Sequence, residues 1–134
     1  MKPPRTVYIT NMARNHEYAS AAKYGAIRPI TSGNYPIYKT PRLLEEIVQA
    51  LTGSDFEDYL LISGSSIVAA LCLWVWVEMH GKCNLLLFRP ADGGQYLLRV
   101  LDRKEIRTEI EHTRDRIQGR PQISRVVRRD TKEA

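Results

Sequence analysis

A chain of 134 residues, 43% hydrophobic and 26% charged, has room for one hydrophobic core and too little for two, and its composition excludes a largely disordered protein. Two cysteines, Cys72 and Cys83, are too few for a disulfide framework; both lie in apolar runs and read as core thiols in a reducing compartment. The formal charge of +5 is uneven, because residues 1–102 carry 10 basic and 9 acidic side chains whereas residues 103–134 carry 10 and 6.

No apolar h-region follows the first five residues, so no secretory signal is visible and a cytoplasmic location is expected. Residues 6–10, rich in β-branched and aromatic side chains, predict a first strand ending at Asn11. After Arg14, Asn15, His16 and Glu17, the Ala-rich stretch 18–24 predicts two helical turns stopped by Gly25. Residues 26–31 predict a short strand that Pro29 confines to an edge or a strand start, and Ser32, Gly33 and Asn34 signal a turn. Residues 36–40 read as extended, and Thr40 before Pro41 reads as an N-cap opening a helix over 41–51 with an apolar stripe of Leu43, Leu44, Ile47, Val48 and Leu51.

The run 59–77 has 19 residues and no charge, a length that a membrane span could use. Residues 63–66 split it, leaving 11 contiguous apolar residues, too few to cross. It therefore reads as a buried strand, 59–62, handing over to a helix, 65–80, that is apolar around nearly its whole circumference and capped by Gly81. A helix of that kind is covered on more than one side, and the pattern predicts a homo-oligomer whose interface carries Trp74 or Trp76. Residues 82–88 and 95–101 predict two further strands, joined as an antiparallel hairpin through Asp92, Gly93 and Gly94. The helix between strands 59–62 and 84–88 implies a parallel right-handed crossover. From residue 102 to 118 the chain is charged throughout, with Ile106, Ile110 and Ile117 as a narrow stripe interrupted by Thr113, and a basic tail follows Gly119.

The order β-α-β-α-β-α-β-β implies a single α/β domain over 1–102, a mixed sheet with flanking helices, followed by a charged C-terminal helix and tail over 103–134. In such sheets ligands gather at the carboxyl ends of strands, where a helix N-terminus offers N–H donors to an anion. The turn of Ser63, Gly64, Ser65 and Ser66 is the best candidate for that role, although capping of the following helix by Ser65 or Ser66 accounts for the same residues. If the first and third strands are parallel, Asn11, Arg14 and His16 fall on the same edge, with Thr31, Ser32, Gly33 and Arg28 as a further wall. That set of amide, guanidinium, imidazole and hydroxyl groups suits a phosphate or a nucleotide, with Tyr18 or Tyr24 as a stacking face. The competing reading is that Asn11, Thr31 and Ser32 satisfy turn backbones.

No complete catalytic constellation assembles. His16 beside Glu17 is a conceivable general base, His80 and His112 are isolated, and Ile67 stands where a Gly-x-Ser-x-Gly elbow needs glycine. The histidine and cysteine spacings match no zinc pattern, so no metal or cofactor is implied. The basic C-terminal arm, residues 103–134, suggests contact with nucleic acid, against the absence of any aromatic residue after Tyr96 to stack on a base.

The strings Tyr8-Ile-Thr-Asn11, His16-x-Tyr18-x-x-Ala21-x-x-Tyr24-Gly25, Thr31-x-Gly33, Asp58-Tyr-Leu-Leu-Ile-Ser-Gly64 and His80-Gly-x-x-Asn84-Leu-Leu-Leu-Phe88 together resemble small α/β proteins of unknown function encoded by bacteriophages and mobile elements. The resemblance covers residues 6–88 and implies a bacterial host cytoplasm. The layout is also loosely similar to viral anti-defence proteins that bind nucleotide signals. The leading expectation is a small oligomeric protein binding an anion or nucleotide at the strand ends. A structural or assembly protein and a nucleic-acid binder acting through the arm are the rivals.

Overall fold

A computed structural model describes residues 4–13, 18–33 and 42–119. The chain divides into two compact units, with the boundary along the sequence between Leu101 and Asp102. The first is built on five strands, β1 (Thr6–Met12), β2 (Ala26–Ser32), β3 (Tyr59–Leu61), β4 (Lys82–Arg89) and β5 (Gln95–Asp102), in the order β2-β1-β3-β4-β5. β1 runs parallel to both β2 and β3, and β3 runs parallel to β4. The connection from β4 to β5 is the five-residue stretch 90–94, too short for a crossover, so this last pair is antiparallel and the sheet is mixed. Gly93 and Gly94 make that turn with φ of 75° and 80°, values that side chains with a Cβ rarely adopt.

Alternation along the strands sorts the core into two layers. On one face Tyr8, Leu60, Cys83 and Leu85 pack beneath helix α1 (Leu43–Leu51) and helix α2 (Ser66–His80), which contribute Leu43, Ile47, Leu51, Val68, Cys72 and Trp76. On the other, Val7, Ile9, Leu61, Leu86 and Tyr96 pack beneath Tyr18 and a 3-10 helix, Ala19–Tyr24. The Ala-rich stretch is thus helical as expected but of the tighter, shorter kind, ended by Gly25.

Ser65 caps α2, its hydroxyl accepting from Val68 N at 3.5 Å, and Gly81 closes the helix in the left-handed conformation, donating to Val77 O at 2.7 Å. α1 begins at Leu43 after Arg42, without a side-chain cap. The expected Thr40 cap and the extended stretch 36–40 lie outside the described residues. The second unit is represented by helix α3 (Arg103–Gln118), whose first N–H groups, those of Lys104 and Glu105, donate to the Asp102 carboxylate, and which ends at Gly119. Among the described residues no helix is long and apolar enough to cross a membrane.

Two details differ from expectation. β1 does not end at Asn11 but continues to Met12, because pairing with β2 extends to Asn11↔Thr31 and Met12↔Ser32. The two tryptophans of α2 also part company: Trp76 is fully buried against Tyr8, with ring centroids 5.7 Å apart, and is no candidate for an interface, whereas Trp74 is 65% exposed.

Candidate functional site

Parallel pairing carries the C-terminal ends of β1, β2 and β3 to one edge of the sheet. The edge is laced by side chains. Thr10, fully buried, accepts from Ser63 N at 2.9 Å through the same hydroxyl that donates to Ser63 O at 2.7 Å. The Thr31 hydroxyl shares its single proton between Thr10 O at 2.9 Å and Asn11 Oδ1 at 2.7 Å, and Asn11 Nδ2 donates to Gly33 O at 3.2 Å. Tyr18 OH accepts from Ala13 N at 2.8 Å and lies 2.8 Å from Ser63 Oγ.

Gly64 sits where this lacework meets α2. Its φ is +79°, and a Cβ placed on it would lie 2.6 Å from Asn11 Nδ2, 2.7 Å from Asn11 Cβ and 3.0 Å from Asn11 O. Only glycine fits there without displacing β1. The turn therefore lies at the boundary between β1 and β3, the point at which the strand order reverses, because β2 lies on one side of β1 and all later strands on the other. Brief crevices at such switch points are where open α/β sheets hold ligands.

Of the residues the sequence nominated, Asn11, Thr31, Ser32, Gly33, Ser63, Gly64, Ser65 and Ser66 come together at this edge. Asn11 and Thr31 are buried and spend their polar atoms on each other and on backbone, while Ser32, Gly33, Gly64 and Ser66 are exposed at the rim. Arg28 is not brought to the rim by its backbone. It pairs with Tyr8 in mid-strand, about 13 Å short of the β2 end at ~3.3 Å per residue. There burial raises the pKa of the Tyr8 hydroxyl, the Asp58 carboxylate adds to the rise, and the Arg28 guanidinium opposes it. Arg14 and His16 lie outside the described residues. Tyr18 is buried as a post for the edge, and Tyr24 leans on Tyr59 with centroids 5.1 Å apart and donates to Tyr96 O, so neither serves as an open stacking platform. Thr10 and the Tyr18 hydroxyl escaped the sequence reading. A β-branched hydroxyl residue at the end of a buried strand was the available signal for Thr10.

At the opposite end of the sheet His80, at the C-terminus of α2, lies 2.8 Å from Ser54 Oγ through Nε2 and edge-on to Trp76. Burial lowers its pKa below the ordinary 6.5, a shift opposed by Asp55 and Asp58. Cys72 and Cys83 are free thiols held at about 12 by burial, far from a reactive thiolate. Among the described residues no cluster of histidine, cysteine and carboxylate side chains could hold a metal ion.

One further concavity is apolar. Between α1 and α2 a groove of about 480 Å³ is lined by Leu44, Val48, Leu71, Trp74, Val75 and Met79, with Glu78 its one charged wall. The α1 stripe is thus divided, Leu43, Ile47 and Leu51 facing the core and Leu44 and Val48 facing the groove. α3 is close to charge-balanced, with five basic and four acidic side chains, so the positive excess of the C-terminal region lies in residues 120–134, outside the described residues.

A model of the phage Pam3 gp32-like protein family matches residues 4–100. The chain belongs to that family. It is a small phage protein, as the spacing of its motifs implied, and the match spans β1 to β5, stopping before α3. The matched residues carry both the laced edge and the groove. No curated protein and no solved structure matches the chain.

Proposed function

We propose that this phage protein binds a small anionic ligand, a phosphate group or a nucleotide bearing one, at the crevice between β1 and β3, acting in the host cytoplasm. The observation that carries the reading is the seating of Gly64 on Asn11 at the point of strand-order reversal, directly before the N-terminus of a fifteen-residue helix. The first-turn N–H groups of Ser66 and Ile67 have no acceptor four residues back within the helix, and the helix dipole adds partial positive charge there. The ligand's donors are then backbone N–H groups and the exposed hydroxyls of Ser32 and Ser66. Thr10, Asn11, Thr31 and Tyr18 act as the frame that holds those donors still. Calorimetric titration with inorganic phosphate and with nucleoside mono- and triphosphates at low salt tests this. Binding that Ser66→Glu abolishes without loss of fold is expected; no binding, or binding that survives the added carboxylate, overturns it.

A second reading, that the protein is an assembly or interaction component, is favoured by the groove between α1 and α2 and by the exposure of Trp74. Interface cores favour aromatic side chains. Loss of self-association or of a phage partner in Trp74→Lys, with ligand binding intact, supports it over the first.

A further inference from the structure

The two edges of the sheet are built differently. β2, at one edge, carries Pro29 opposite Ile9 in mid-strand, and both Arg28 and Pro29 are exposed. A proline on an edge strand has no N–H to give a further strand and blocks its addition. β5, at the other edge, is eight residues long, contains neither proline nor glycine, and has no described strand beyond it. Its apolar side chains are exposed on both faces of the sheet: Leu97 (38%) on one, Leu98 (47%) and Val100 (48%) on the other. One edge is guarded by a proline and the other is not.

We propose that the outer edge of β5 pairs antiparallel with β5 of a second copy of this chain, joining two five-stranded sheets into one across a two-fold axis. An unpaired edge offers backbone donors and acceptors at every second residue, and the same strand from a second copy matches them in length. An axis perpendicular to the sheet keeps residues of like parity opposite one another, which leaves two registers that pair seven residues. Centring on Arg99 sets that guanidinium against its own copy, a destabilising arrangement. Centring on Leu98 sets Leu98 against Leu98 and Val100 against Tyr96 on one face. On the other it sets Leu97 against the stem of Arg99, whose aliphatic carbons cover it while the charge reaches water. Charge thus selects the Leu98 register.

The test is a cysteine at the axis. Cα atoms of directly opposed residues in an antiparallel pair are about 4.5–5.5 Å apart, within disulfide range. Leu98→Cys is expected to form a cross-linked dimer under mild oxidation, seen on a non-reducing gel. Val100→Cys, which faces Tyr96 of the other copy, is expected not to, and the buried Cys72 and Cys83 stay out of the reaction. Light scattering after size exclusion supplies the second measurement. Leu98→Lys is expected to convert the dimer to monomer with its circular dichroism unchanged, while Trp74→Lys leaves the dimer intact. A monomeric wild-type chain, a dimer that survives Leu98→Lys, a dimer lost in Trp74→Lys instead, or cross-linking through Arg99→Cys rather than Leu98→Cys overturns the proposal.

Discussion

The two faces of the sheet are closed by different chemistry. Beneath α1 and α2 the contacts are aliphatic and aromatic carbon, and the indole N–H of Trp76 is buried with no acceptor among the described residues. Beneath the 3-10 helix, Val7, Ile9, Leu61 and Leu86 are packed together with tyrosines whose hydroxyls are used: Tyr18 bridges Ala13 N and Ser63, and Tyr24 reaches Tyr96 O. The first face depends mainly on filled volume, the second on filled volume and a few directed bonds. Two full helices can shed water from a large apolar layer, whereas six residues of 3-10 helix cannot, and hydroxyls that cross-link the strand ends supply what area does not.

That contrast breaks most visibly at Trp76. Trp76→Ala empties the centre of the helix-covered face and is expected to cost about 3–5 kcal/mol in urea unfolding, the largest effect of any single change considered. Tyr18→Phe leaves packing on the opposite face in place but strands Ala13 N and Ser63 Oγ, and is expected to cost about 1–2 kcal/mol. It should also loosen the 63–66 turn, read as faster amide exchange there. A loss equal to that of Trp76→Ala would show that the hydroxyl bonds matter on this face as much as filled volume does on the other.

Acidity sharpens the comparison further, because His80 lies on the helix-covered side. Its pKa in the folded chain is below 6.5, so between that lowered value and 6.5 the unfolded chain binds more protons. Its contribution is complete above pH 6.5 and is lost as pH falls through the folded value. Asp55, whose carboxylate accepts from Glu57 N and pairs with Arg5, has a lowered pKa too, and its contribution is lost only below its ordinary 3.8. Thermal melts from pH 8 to pH 5 are expected to decline in the wild type and to flatten in His80→Asn. The smallest effect belongs to Trp74→Ala, expected to stay within about 0.5 kcal/mol, since its side chain is exposed. A greater loss in a concentration-dependent melt would place Trp74 in an interface.

Strand and helix positions were readable because their signals are local: the apolar runs at 59–62 and 82–88, the Ser65 cap, the Gly81 and Gly119 stops, the glycine pair at 93–94. The laced edge was readable only in outline. Asn11 and Ser63–Ser66 could be nominated as residues at strand ends, but their contact joins positions 53 apart and depends on β1 lying between β2 and β3. Arg28 was drawn toward the site by residue type alone; its place in mid-strand follows from the register with Tyr8.

The sequence by itself determined the elements, the α/β class, the caps and membership in a phage family, because propensity, alternation and capping act within a few residues. Which tryptophan of α2 is buried was decided only by tertiary structure. The helix is apolar on every side, so no stripe in the sequence marks a preferred face, and the choice was made by where Tyr8, Leu60 and Leu85 left room beneath it.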